Sequence, residues 1–279
     1  MTDASLTLAG IGDEAASDLA GQLAAIDQLG WSAMELRTVD GVQLAELDDD
    51  EFGRMADQLD AAGVRVVCVA SRIGSWARPI STPFEDDERE LAVLARRCQR
   101  LGARYVRVMS YPNDGLSEPD WKRQVVDRLG RLAEQACRQD LVLLHENCSG
   151  WAGTSADRAM TILSEVDSPA LRLLFDTGNG VAHGYDGYAM LAELIGHVEH
   201  VHIKDATRTG DRVVYTMPGA GQARVADCLR LLLDSGYRGA LSLEPHVAGQ
   251  PHAGGIGTGQ DALSAFVACG QALHRMLAR

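Results

Sequence analysis

Eight short apolar runs, each followed by a helical pattern, constrain the fold of this chain most strongly. Near-continuous apolar strands that alternate with helices are typical of parallel strands covered on both faces. Eight such units favour a closed barrel, so the sequence predicts an α/β protein with a single (β/α)8 TIM barrel. The predicted strands lie at 6–11, 33–39, 64–71, 105–111, 141–147, 171–177, 198–205 and 241–246. The helical patterns between them include 17–30, 48–63, 85–102, 118–139 and 225–236.

The length of 279 residues suits one barrel of this kind, and a single domain over 1–279 is expected. An open, doubly wound sheet is the alternative fold. It is less favoured because the chain has eight units and no GxGxxG motif after the first strand. A glycine-rich stretch at 245–259 predicts a loop after the last strand.

The charge of the chain excludes some partners. Its formal net charge is −13, which repels phosphate backbones, so no nucleic-acid partner is expected. No run approaches the ~18 apolar residues of a membrane span, so no membrane partner is expected either. We expect a soluble cytoplasmic protein, and a homo-oligomer is compatible with a soluble enzyme of this size.

Ionisable residues stand at the ends of several predicted strands. In TIM barrels the carboxyl ends of the strands form the active site, so these side chains are expected to meet at one rim. The second strand ends with Glu35 and Arg37, the fifth with Glu146, the sixth with Asp176, the seventh with His202 and Lys204, and the eighth with Glu244 and His246.

Four consecutive strands thus deliver three carboxylates and one imidazole to the same place. A lone carboxylate at a strand end is more often a helix cap or a loop ion pair, but four together are hard to explain as separate caps. Their charge needs compensation, which a divalent cation supplies. The sequence predicts one metal ion: the oxygen-rich set suits Mn²⁺, Mg²⁺ or Co²⁺, and Zn²⁺ is compatible. The predicted ligands are Glu146, Asp176, His202 and Glu244.

Other polar residues near the seventh strand are open to two interpretations. Lys204 and Asp205 form either an ion pair at the rim or part of the site. His145, His197 and His200 are expected to face helices or solvent.

Seven motifs occur in a characteristic order: IGDEAASDL, LGWSAMELRTVDG, HEN, FDTGN, HVHIKDATR, MPGAGQ and LSLEP. Over nearly the whole chain they resemble the xylose isomerase-like TIM-barrel superfamily, in its sugar (phosphate) isomerase/epimerase branch. The resemblance implies one divalent metal, Mn²⁺ first, on the same four residues. It also implies that Glu146 and Glu244 are catalytic and move protons at the carbons beside a ketone.

The resemblance also bears on substrate binding. Arg208 stands six residues after His202, the spacing of a substrate contact in ketose 3-epimerases. Three positions depart from the pattern: Ala152 replaces a Glu, Asn179 replaces a His, and SRIGS at 71–75 replaces a segment like SPIGK. The substrate therefore stays open within the class of polyhydroxy ketones. The residues expected to contact it are Glu35, Arg37, Asn179, Lys204, Arg208 and His246.

The function expected first is a metal-dependent isomerase or epimerase that removes an α-proton and passes through an enediolate. The alternative is a metal-dependent lyase or dehydratase, similar to dehydroshikimate dehydratases or to C-glycoside-cleaving enzymes, since it begins with the same step. A DNA-repair endonuclease is disfavoured by the charge of −13 and by only 8 His. A non-catalytic ligand-binding barrel is disfavoured by the complete set of four ligands.

Overall fold

The computed structural model describes residues 6–249 and 259–278, which contain the following strands and helices. The strands are β1 (Thr7–Gly10), β2 (Ala33–Leu36), β3 (Thr38–Val39), β4 (Val42–Gln43), β5 (Arg65–Ala70), β6 (Tyr105–Ser110), β7 (Val142–Gly150), β8 (Leu171–Asp176), β9 (Val198–Ile203), β10 (Asp205–Thr209), β11 (Arg212–Thr216) and β12 (Ala240–Leu243). The helices are α1 (Leu19–Gln28), α2 (Asp49–Ala62), α3 (Phe84–Leu101), α4 (Glu118–Arg138), α5 (Ala156–Val166), α6 (Asn179–His183), α7 (Gly187–Leu194), α8 (Val225–Asp234) and α9 (Gly259–Leu277).

Eight strands form one parallel sheet in the order β1-β12-β9-β8-β7-β6-β5-β2. A parallel bridge between Ile11 and Glu35 joins the two ends of this sheet, so the barrel is nearly closed. The predicted (β/α)8 TIM barrel is therefore confirmed. Residues 250–258 of the glycine-rich stretch lie outside the described residues, and none of the described helices is long and apolar enough to cross a membrane.

Several helices begin and end where the sequence provides caps. Asp48 accepts the N–H of Glu51 and the Glu51 side chain accepts the N–H of Asp48, so α2 starts with a capping box. Gly63 and Gly102 follow α2 and α3 in the left-handed conformation, with φ of 65° and 64°. These local signals fix the lengths of the helices that cover the barrel.

The inside of the barrel changes from apolar to charged along the strands. Its lower layer is a small separate cluster formed by Cys68, Val142, Leu144 and Leu174. Alternate residues of a strand share a face, so Glu146 and Asp176 point inward one step above Leu144 and Leu174. The carboxyl ends of the strands therefore present polar groups to a buried space.

A two-stranded antiparallel hairpin, β10–β11, follows β9 and extends beyond the barrel rim. Asp205 at its base is 1% exposed, and its carboxylate accepts the backbone N–H groups of Ala206, Gly219, Gly221 and Ala223. A Cβ atom at Gly221 would lie 2.2 Å from Asp205 Oδ1, so the approach requires glycine. Asp205 therefore organises the loop between β11 and α8, and it forms no ion pair with Lys204 among the described residues.

Replacement of Asp205 tests this organising role. We expect Asp205→Ala to lower the free energy of unfolding by about 3 kcal/mol or more, because it leaves buried N–H groups without their charged acceptor. Urea unfolding followed by circular dichroism measures the change. Asp211→Ala, at the exposed turn of the same hairpin, is the control and should leave the free energy nearly unchanged. Equal stability of the two variants would contradict the role.

Candidate metal centre

Four buried side chains converge at the carboxyl end of the barrel. Glu146 lies in β7, Asp176 ends β8, His202 lies in β9 and Glu244 follows β12. His202 Nδ1 lies 3.6 Å from Glu146 Oε1, 3.9 Å from Asp176 Oδ2 and 3.3 Å from Glu244 Oε2. One ligand atom of each residue lies within 4.8 Å of all the others. The structure thus brings together the four residues that the strand-end pattern indicates.

The donor atoms of this cluster fit a divalent ion. His202 Nδ1, Asp176 Oδ2 and Glu244 Oε2 are buried and have no hydrogen-bond partner among the described residues. Buried polar atoms normally have such a partner, so three of them that face one point are a donor set that fits a cation. Three carboxylates with one imidazole are hard, oxygen-rich ligands of the kind that Mn²⁺ and Mg²⁺ bind. Asp176 is held in place by its other oxygen, which accepts the N–H groups of Gly178 and Asn179.

Lys204 contributes positive charge to the same cluster. Its Nζ lies 2.9 Å from Asp176 Oδ2 and 2.6 Å from Glu244 Oε2, as ion pairs rather than aligned hydrogen bonds. Burial alone would lower the pKa of Lys204, but the carboxylates of Asp176 and Glu244 raise it well above its usual value. Lys204 is therefore a charged ammonium group beside the ligands.

Glu35 contacts the imidazole of His202 on the side away from the cluster. Its carboxylate lies 3.0 Å from His202 Nε2 and 2.9 Å from His200 Nε2. Burial would raise the pKa of Glu35, but His202 and His200 lower it well below its usual value. A carboxylate on the far ring nitrogen fixes the orientation of a metal-binding histidine, here with Nδ1 toward the cluster. The expectation that His200 faces helices or solvent is wrong, because it shares the inner face of β9 with His202.

Arg37 links both ends of the sheet to the cluster. Its guanidinium donates to Asp13 at 2.7 and 3.0 Å, to Glu14 Oε1 at 2.6 Å and to Glu244 Oε1 at 2.7 Å. Sequence reasoning missed Asp13 and Glu14. They follow β1 directly, so the strand-end rule applied to the first strand would have found them.

His246 completes this group on the other side. It donates its backbone N–H to Glu14 Oε2 at 3.0 Å, and its Nδ1 lies 2.9 Å from Glu14 Oε1. Burial would raise the pKa of Glu14, but His246 and Arg37 lower it to about 2. Tyr215 of the β10–β11 hairpin packs edge-on against the His246 ring at 4.9 Å. The hairpin therefore forms one wall of the site.

The two glutamates of the cluster are ionised. Burial would raise the pKa of Glu146, but the nearby His202 and the charge of Arg107 lower it to about 2. Burial would also raise the pKa of Glu244, but Lys204 and His246 lower it well below its usual value. Both carboxylates can therefore act as proton acceptors.

A cavity of about 590 Å³ opens above the cluster. Four of the six residues expected at the substrate line it, namely Arg37, Asn179, Lys204 and His246. The other two lie elsewhere. Glu35 lies beneath the cavity at the imidazoles, and Arg208 lies outside its lining, where its guanidinium donates to Gly210 O at 3.0 Å and approaches Ala182 O at 3.5 Å.

The amino-acid sequence of this chain matches a known protein family. A family model described as xylose isomerase-like TIM barrel matches residues 23–266. Inosose dehydratase of Clostridium perfringens is 24% identical over 214 residues, which cover 71% of this chain and 63% of that protein. The match therefore spans less than two thirds of the length of this curated relative.

Solved structures share the fold at low identity. D-allulose 3-epimerase from a Methylomonas species, in complex with D-allulose, has a TM-score of 0.74 and 17% identity, over 98% of this chain and 97% of that chain. A xylose isomerase-like TIM-barrel protein from Mycobacterium smegmatis, in complex with magnesium, has a TM-score of 0.69 and 18% identity, over 96% and 99% of the two chains. These likenesses show the shared barrel.

Metal binding by the cluster can be measured directly. We expect Mn²⁺ or Mg²⁺ to raise the melting temperature of the wild-type chain, because a ligand that binds only the folded state stabilises it. Asp176→Asn removes a ligand charge and should abolish most of the shift. Glu193→Gln, an exposed change on α7, should keep it. The same shift in all three proteins would rule out the cluster as the metal site.

The contact between the Glu35 carboxylate and His202 Nε2 leads to a second prediction. We expect Glu35→Gln to weaken divalent-metal affinity by about 10- to 100-fold, because the imidazole loses its orienting carboxylate. Competition with a fluorescent chelator measures the affinity, and circular dichroism checks that the variant is folded. An affinity equal to that of Glu193→Gln would mean that Glu35 does not position the ligand.

Proposed function

The chain belongs to the xylose isomerase-like TIM-barrel family, and from this premise we propose that it is a metal-dependent isomerase or epimerase of a sugar or sugar-like ketone. The observation that supports this best is the convergence of four buried side chains, two of which are ionised glutamates. The proposed partner is a small polyhydroxy ketone, whose α-proton the site removes.

The proposed cofactor is one divalent ion. Held by the four-residue cluster, it would act as a Lewis acid toward the carbonyl oxygen of the substrate. Mn²⁺ is proposed first, and Mg²⁺, Co²⁺ and Zn²⁺ are compatible with the same donors.

Glu146 and Glu244 are the proposed proton carriers. They stand on β7 and just after β12, with β8 and β9 between them, so they approach the cavity from two sides. One carboxylate accepts the proton of the carbon beside the carbonyl, and the C–H electron pair passes into an enediolate. For epimerisation, the other carboxylate first takes a proton from water and then delivers it to the opposite face, which inverts the centre. For isomerisation, the first glutamate returns the abstracted proton to the neighbouring carbon.

The neighbours of these glutamates would position them and stabilise charge. Arg37 holds one oxygen of Glu244 at 2.7 Å, and Asn179 donates to Glu146 Oε1 at 3.2 Å. Lys204 lies at the edge of the same cavity. Its ammonium would stabilise negative charge on a substrate oxygen as the proton leaves.

Dehydration is the second candidate function, favoured by the resemblance to inosose dehydratase. It begins with the same proton transfer. The electron pair of the enediolate then expels a hydroxyl group from the next carbon, and that group leaves as water after protonation. The product is lighter than the substrate by one water, whereas isomerisation and epimerisation leave the mass unchanged. Mass spectrometry of the product separates the two functions.

Exchange of the α-proton tests the step that both functions share. We expect the chain with Mn²⁺, Mg²⁺ or Co²⁺ to exchange an α-proton of one substrate in a panel of ketoses, inososes and keto acids in D₂O. Glu146→Gln and Glu244→Gln should each slow this exchange by about 10²- to 10⁴-fold, because each removes a proton carrier. Proton NMR measures the rate.

Loss of metal must be separated from loss of the base in these variants. Bound metal is therefore measured by elemental analysis at the concentrations used for NMR, and Glu193→Gln serves as the matched control. Wild-type exchange rates in both metal-loaded Gln variants would reject the proposed role of the glutamates.

A further inference from the structure

The cavity lining holds more cationic side chains than carboxylates, although the chain is acidic. The net charge of the chain is −13, yet the cavity lining contains four cationic side chains and only two carboxylates. The cationic side chains are Arg37, Arg72, Arg107 and Lys204, and the carboxylates are Glu146 and Glu244. A concentration of positive charge in one concave place favours an anionic ligand there.

Two of these cations are occupied within the protein. Arg37 is held by the carboxylates of Asp13, Glu14 and Glu244 at 2.6–3.0 Å. Lys204 lies within 3 Å of two ligand carboxylates, as ion pairs at 2.9 and 2.6 Å. Both are therefore positioned mainly by carboxylates of the protein itself.

Arg107 differs from both. It projects from β6 and is only 8% exposed, and its Nε is buried with no hydrogen-bond partner among the described residues. The nearest carboxylate contact of its guanidinium joins Nη1 to Glu146 Oε2 at 3.5 Å, which is longer than a normal hydrogen bond. A buried Nε–H without an acceptor is costly, because the group has lost its contact with water.

A metal ion in the cluster would leave Arg107 less compensated still. The carboxylates of Glu146, Asp176 and Glu244 carry three negative charges, which a divalent cation and the Lys204 ammonium balance. Glu146 would then share its charge with the cation, which weakens its 3.5 Å ion pair with Arg107. The other cation of the lining, Arg72, is half-buried. Its Nε also lacks a hydrogen-bond partner among the described residues, but its guanidinium already forms an ion pair with Glu46.

We propose that the substrate carries an anionic oxygen group, a carboxylate or a phosphate, which binds the Arg107 guanidinium while the ketone lies at the cluster. This inference rests on the proposed function and narrows its substrate class. Arg107 presents a planar fork of donors, which matches both kinds of oxyanion. The neutral sugar named with the D-allulose 3-epimerase structure would leave this charge uncompensated.

The test compares three ketones that differ in charge. D-fructose, D-fructose 6-phosphate and 5-keto-D-gluconate are titrated calorimetrically into the Mg²⁺-loaded full chain. We expect the dissociation constant of at least one anionic ketone to be lower than that of D-fructose by a factor of about 10 or more. A charge-assisted hydrogen bond contributes a difference in affinity of this size. A gain with D-fructose 6-phosphate alone indicates a phosphate, and a gain with 5-keto-D-gluconate alone indicates a carboxylate.

Variants assign the gain to Arg107. Arg107→Met should reduce the preference for the anionic ketone over D-fructose to about 2-fold or less, whereas Arg107→Lys should keep part of that preference. Arg172→Met is the matched control, because Arg172 also pairs with one glutamate, Glu199 at 3.3 Å, but does not line the cavity. Melting temperature and Mg²⁺ affinity of each variant verify the fold and the cluster.

Two results would overturn the proposal: equal affinity for all three ketones in the wild-type chain, or a preference that survives in folded, Mg²⁺-loaded Arg107→Met. Inorganic phosphate separates this proposal from the proposed function. Suppose that phosphate binds at least 10-fold more weakly to Arg107→Met than to the wild type, and that no ketone exchanges a proton. This result would support the anion site at Arg107 and reject the proposed reaction. Suppose instead that a ketone exchanges its proton, but that the affinity for phosphate and for the anionic ketones does not depend on Arg107. This result would support the proposed reaction and reject the anion site.

Discussion

Burial of three carboxylates at one point is the constraint on which the rest of this structure depends. A buried charge costs several kcal/mol unless other charges and hydrogen bonds compensate it. Glu146, Asp176 and Glu244 are each at most 5% exposed, so their surroundings must supply positive charge. Lys204 does so within the cluster, and a divalent ion would complete the compensation. The polar upper half of the barrel is the result.

The same electrostatics also hold the barrel together. Among the described residues, β1 and β2 are joined in the backbone by the single Ile11–Glu35 bridge. Arg37, just after β2, binds Asp13 and Glu14 after β1 and Glu244 after β12. The ion pairs of Arg37, one of which orients Glu244, therefore also hold β1 and β2 together where the backbone pairing is sparse. Stability and chemistry share residues here, which explains why so many charges tolerate burial at one end of the fold.

Particular residues show how far sequence reasoning reaches. The alternation of apolar strands and helices predicted the barrel, and the strand-end rule selected the four residues that the structure brings within 4.8 Å of one another. The same alternation should have placed His200 on the inner face with His202, where it binds Glu35. The β10–β11 hairpin was missed because its strands lie outside the barrel rhythm, and with it the wall that Tyr215 provides. Arg107 was missed because it stands within a strand rather than at its end.

The sequence by itself determined the order of the elements, the inward faces of the strands and the kinds of side chain at the barrel mouth, because periodicity is a local property of the chain. Only the tertiary structure decided which charges pair. In the described part of the chain, carboxylates surround Arg37, whereas the guanidinium of Arg107 has one long carboxylate contact. Glu35 lies beneath the imidazoles, and Arg208 lies outside the cavity. Such pairings depend on barrel closure and on register shifts such as the one between Met34 and Glu35. The interaction energy of two charges changes steeply over a few ångströms, and the distances between these side chains are fixed only when the strands pair.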